Sequence, residues 1–82
     1  MNPTERIEEA LGALSVDATQ PKGPIVDALL DVRLSTADPA VVEAVDAELA
    51  SMPPQLLVTE DARAALERIA AVAAASPEAV RS

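Results

Sequence analysis

Phenylalanine, tyrosine, tryptophan, histidine and cysteine are all absent from this 82-residue chain. Without histidine or cysteine there is no imidazole base, no thiolate nucleophile and no disulfide, and the usual zinc and haem ligand sets fall away. Ferritin-like di-iron sites, which need Glu-x-x-His on two helices, go with them. Without aromatics there is no platform for a sugar ring, and the core must be assembled from aliphatic side chains alone. The two glycines, Gly12 and Gly23, are too far apart for a phosphate-cradling loop. No apolar run approaches the ~20 residues that span a bilayer. Positive charge is scarce as well. Six bases face fourteen acids, a formal net charge of −8, so binding to duplex nucleic acid or to an anionic membrane starts with the wrong sign.

What the chain does have is aliphatic and rich in alanine. Hydrophobic residues make up 50% of it, but eighteen of those 41 are alanine, leaving twenty-three larger Leu, Val, Ile and Met side chains. That is thin for a domain of this size, where one core supplies about 3–5 kcal/mol of net stability. Two readings stand side by side: a marginal monomer of closely packed helices, or a chain that buries part of its apolar surface against another copy or a partner. The five-to-one preference for arginine over lysine, with abundant Ala, Val and Pro, has the look of a GC-rich genome, bacterial or phage. The start, Met1-Asn2-Pro3-Thr4-Glu5, is polar and acidic, unlike a secretory or transit peptide, so a cytoplasmic protein is expected.

Seven prolines punctuate the chain, and four stand where a helix would begin, where a missing N–H costs nothing. Asn2-Pro3 reads as cap and first residue of a helix over about 3–14, on which Ile7, Ala10, Leu11 and Leu14 repeat at helical spacing. Ser15 to Gly23 reads as a loop. Pro24 opens a second helix over 24–34, with Ile25, Leu29 and Val32 on one face and Val26, Leu30 and Leu34 beside it. So wide a stripe predicts the most central helix. Asp38-Pro39 cap and start a third helix over 39–52, on which Val42, Val45, Leu49 and Met52 repeat. Pro53-Pro54 ends it, and Gln55 to Val58 reads as an extended linker whose Leu56 and Leu57 plug the core. Thr59 is the expected N-cap of a fourth helix over 60–75, with Glu60 and Asp61 in its first turn and Ala62, Leu66, Ile69 and Ala73 on its apolar face. Ser76-Pro77-Glu78 suits a further short turn, and 77–82 reads as a frayed tail. Short links make sequential helices neighbours. The expected fold is therefore all-α: a single domain over 1–82, built as a small antiparallel bundle of four helices with short Pro-capped links.

Carboxylates are the only candidates for chemistry. Glu5 with Glu9, and Asp27 with Asp31, have i,i+4 spacing and put like charges on one helix face. Such pairs serve Mg²⁺ or Ca²⁺ binding or acid–base work where a site is built around them. Here no calcium-loop spacing accompanies them, and a solvated acidic face is the reading they favour. The bases Arg6, Lys22, Arg33, Arg63, Arg68 and Arg81 are scattered, with Arg63 spaced to pair with Glu60 or Glu67. No basic stripe or helix-turn-helix recognition helix emerges.

In length, acidity and helix number the chain resembles acyl carrier proteins, which carry a prosthetic group on the serine of an Asp-Ser-Leu motif at the start of helix 2. Its own second helix begins Gly23-Pro24-Ile25-Val26-Asp27, and Ser15, Ser35 and Ser51 follow no aspartate, so the resemblance stops at bulk properties and implies no carrier function. The helix–Pro–helix stretch from Ala47 to Ala65 is similar in outline to docking segments of bacterial polyketide synthases, and no residue role carries over from it.

These observations lead to a non-enzymatic protein–protein interaction or regulatory module, with no catalytic, cofactor-binding or metal-ligating residue assigned and no cofactor. The expected partner is another protein, including a second copy in a homo-oligomer, met through an aliphatic helix face. The residues assigned to that face are Val26, Leu30 and Leu34 of the second helix and Val42, Val45 and Leu49 of the third, with Asp27 and Asp31 beside them. The alternatives are an acidic mimic of nucleic acid that inhibits a basic site, or a structural or assembly component of a phage particle. The net charge of −8 motivates the mimic.

Overall fold

A computed structural model of the chain describes residues 3–75. Most of these are helical: α1 spans Pro3–Gly12, α2 Gly23–Ser35, α3 Pro39–Ala50 and α4 Thr59–Ala74. Two three-residue strands, β1 at Thr19–Pro21 and β2 at Leu56–Val58, add a small sheet. The four expected helices are present with ends shifted by one or two residues. The Asn2 cap and the expectations for Ser76 onward lie outside the described residues.

Local chemistry accounts for most of the ends. At α3 the Asp38 carboxylate accepts a hydrogen bond from the Ala40 N–H at 2.9 Å, and Pro39 follows in the first turn, as its fixed φ suits. Pro24 likewise lies in the first turn of α2, and the Lys22 carbonyl receives the Val26 N–H at 2.9 Å. The end of α1 unwinds through bonds from the Ala13 N–H to the Glu9 and Ala10 carbonyls, both at 3.1 Å. Leu14 therefore falls just beyond the helix, yet it still packs on the core.

The sheet corrects two expectations. Ser15 to Gly23 is not all loop, and Gln55 to Val58 is not a free linker. Antiparallel pairing sets Thr19 opposite Val58, Gln20 opposite Leu57 and Pro21 opposite Leu56. Alternation along each strand turns Gln20 and Leu57 inward and leaves Thr19, Pro21, Leu56 and Val58 exposed. Leu57 plugs the core as expected, whereas Leu56 does not. Thr59 extends the pairing: its N–H donates to the Ala18 carbonyl at 2.8 Å and its hydroxyl to the Asp17 carbonyl at 2.6 Å. It is thus the buried first residue of α4, with its hydroxyl committed to the β1 side, and Val58 holds the N-cap position without a side-chain bond.

Around the core α1 packs on α2 and α4, and α3 packs on the same two helices, so each has two principal helical neighbours. Ile7, Leu29, Val32, Val41, Val45, Leu66 and Ile69 are the largest fully buried side chains. Buried alanines, among them Ala10, Ala28, Ala62 and Ala73, fill the space between them in place of aromatic rings. The third helix turns Val41 rather than Val42 fully inward. The spacings 41, 45, 49, 52 and 42, 45, 49, 52 share three of four positions, so the sequence does not separate them. Nor is α2 the most central helix. It buries Ile25, Ala28, Leu29 and Val32, whereas α4 buries Thr59, Ala62, Ala65, Leu66, Ile69 and Ala73. The breadth of the α2 stripe came from residues that face out.

Candidate functional site

The feature that most needs explaining is the outer side of α2. Ile25, Ala28, Leu29 and Val32 cluster on its inner side and are buried. On the opposite side Asp27, Leu30, Asp31 and Leu34 fall within an arc of about 100°, at 3.6 residues per turn. All four are exposed, Leu34 by 80% and Leu30 by 41%. Leucines at i and i+4 on the outside of a helix are costly to leave in water, and here two aspartates stand among them.

The remaining residues assigned to a partner face have separate fates. Val26 and Val42 are half-buried. Leu49 is half-buried and packs against the core. Val45 is fully buried and has no surface to offer a partner, because α3 turns it inward together with Val41. The candidate surface therefore contracts to the outward stripe of α2.

Ion pairs border that stripe on both sides. Toward α1, the Arg6 Nε donates to Asp31 Oδ2 at 2.9 Å, and Arg6 also lies 3.8 Å from Glu9. Toward α3, the Arg33 Nε donates to Asp46 Oδ1 at 2.9 Å. A third pair joins α4 to α3, where Arg68 grips Glu48 through two hydrogen bonds of 2.6 and 2.8 Å. That carboxylate, by hydrogen bonding first and by charge second, raises the Arg68 pKa above its ordinary value. The expected pairing of Arg63 with Glu60 or Glu67 does not form among the described residues. Asp27 has no ion-pair partner there either.

Between α1 and α2 a shallow groove of about 380 Å³ is lined by Arg6, Glu9, Asp31 and Ser35. Two carboxylates line it, and Arg6 reaches both, so that its one positive charge is shared between two negative ones. Sequence spacing paired Asp31 with Asp27 and Glu9 with Glu5; only the packing of α1 on α2 brings Glu9 and Asp31 together. Among the described residues no group of three acids is placed to hold a metal ion. No helix among them is long and apolar enough to cross a membrane.

A second apolar area lies on the outer face of the sheet, where Leu56 and Val58 are about half exposed, at 55% and 48%. Beneath it Gln20 is buried, its Oε1 accepting the Ser15 N–H at 3.0 Å while its Nε2 has no protein partner. Both features were missed at the level of sequence, since a three-residue strand has too little pattern to read.

No protein-family model matches the chain, and no curated protein or solved structure matches it either.

Proposed function

We propose that the protein is a non-enzymatic interaction module of the cytoplasm, a small antiparallel four-helix domain that binds another protein through the outward stripe of α2. The observation that carries this reading is the pair Leu30 and Leu34, left exposed on a helix whose opposite face already completes the core. Fully burying an exposed leucine gains about 1.5–3 kcal/mol. Leu34, 80% exposed, stands to gain most of that and Leu30, 41% exposed, less than half, so the stripe has a thermodynamic reason to be covered. The alternation of leucine with aspartate on one exposed helix face supports a mixed apolar and charged contact.

Affinity purification from the native host, comparing the wild-type chain with the uncharged variant Leu34→Gln, tests the proposal. Leu34 is 80% exposed, so the variant is expected to keep the wild-type helical circular dichroism. A partner that co-elutes with wild type and is lost with the variant supports the reading. Retention of the same partners by the folded variant overturns it.

A further inference from the structure

Resting on that reading, we infer that the partner presents a basic amphipathic helix, with leucine-like residues covering Leu30 and Leu34 and with Lys or Arg meeting Asp27 and the Glu9–Asp31 groove. The argument is one of complementarity. Asp27, exposed on the stripe, has no ion-pair partner among the described residues. Asp31 is half-engaged: Arg6 takes Oδ2 from one side, and the groove beside it holds Glu9 as a second acid. Arg6 and Arg33, which border the stripe, are committed to Asp31 and Asp46 at the seams with α1 and α3. The surface thus offers Asp27 unpaired next to exposed leucine, with both bordering arginines engaged, on a chain of net charge −8.

A second copy fits this face poorly. Two α2 stripes packed parallel in register oppose aspartates with aspartates, and packed antiparallel about their middle they set leucines against aspartates; either arrangement works against association. A helix carrying Lys or Arg three or four positions from leucine reverses the sign of that contact. Positions 27 to 34 run along ~10 Å of helix, so two turns of a partner helix suffice to reach both leucines and both aspartates.

The test uses three synthetic helical peptides of equal length that differ only on one face: leucine with lysine, leucine with glutamine, and alanine with lysine. Binding to the full chain is followed by calorimetry, and the site is mapped by amide chemical shifts. The leucine–lysine peptide is expected to bind, to shift amides along α2 around Asp27 to Leu34, and to weaken at least tenfold as salt rises from about 0.01 to about 1 M. Asp27→Asn should weaken it severalfold, whereas Glu43→Gln, an equal loss of charge at an exposed position of α3, should not. Equal binding of the leucine–glutamine peptide along α2 overturns the basic partner and leaves the interaction face standing. Shifts confined to other elements overturn the face itself. Equal binding of the alanine–lysine peptide, or no binding by the leucine–lysine peptide, overturns the inference.

Discussion

Arg6, Arg33 and Arg68 divide three helix seams among them, each pairing with an acid on the neighbouring helix. The single-bonded Arg33–Asp46 pair, exposed on both sides, adds little to stability in water, and the two-bonded grip of Arg68 on the mostly buried Glu48 is the strongest of the three. The larger consequence of all three is to tie up scarce positive charge, so that acids elsewhere stay uncompensated. The leucines make the opposite contrast between core and surface. Leu66 is fully buried and Leu34 largely exposed. Leu66→Ala is expected to cost about 2–5 kcal/mol, enough to unfold much of a small domain, while Leu34→Ala should shift stability by less than about 0.5 kcal/mol. Urea titrations followed by circular dichroism separate the two. Gly12 offers the reverse case. It ends α1 without positive φ, and an added Cβ would meet nothing within 4 Å. Gly12→Ala should therefore stabilise by about 0.4–1 kcal/mol, chiefly by restricting the unfolded chain, and the same titration would show it as a higher midpoint.

At the scale of elements, the sheet is the connection that the helices alone do not supply. It pairs the segment leading into α2 with the segment leading into α4, although 37 residues separate the paired positions Gln20 and Leu57. Thr59 secures it at the α4 end through both its N–H and its hydroxyl. Thr59→Val keeps the shape and the N–H bond but removes the hydroxyl donor to Asp17. A loss of about 0.5–1.5 kcal/mol is expected. Amide hydrogen exchange should then quicken first at Gln20 and Leu57, before the helices. Uniform acceleration across all four helices would mean that the sheet and the helices open as one unit.

For the whole molecule, a radius of gyration of 12.0 Å agrees with the ~12 Å expected of a folded chain of this length. Among the described residues thirteen buried hydrophobic side chains form one connected cluster, built of aliphatic residues and alanine. Among the same residues the large apolar side chains left exposed are Leu30 and Leu34 on α2, Leu56 and Val58 on the outer sheet face, and Val16 in the turn before β1, on a chain of net charge −8. That balance predicts how the protein meets itself. At about 0.01 M salt, where the Debye length is about 30 Å, repulsion should keep it monomeric; near 1 M, at about 3 Å, weak association through the exposed leucines should appear. Light scattering over a concentration series checks this, with Leu34→Glu expected to remove the high-salt association. Association that is strongest at low salt would contradict the account.

The sequence by itself determined the helices, because their signals are local. Pro39 after Asp38, and the 62, 66, 69, 73 repeat of α4, act within a few residues of where they stand. It determined equally which residue types are missing, histidine, cysteine and all aromatics among them. The strands were illegible because their pairing is tertiary. Only that pairing decided that Leu57 turns inward and Leu56 outward, and that Thr59 spends its hydroxyl on Asp17 instead of capping α4. The candidate surface divided in the same way. Periodicity picked out the apolar residues of α2 and α3, including Leu30 and Leu34. Which of them remain outside depended on where α1 and α3 dock, because a broad apolar helix buries only the arc its neighbours reach. That docking consumed Val45, spared Leu30 and Leu34, and brought Glu9 beside Asp31 from another helix.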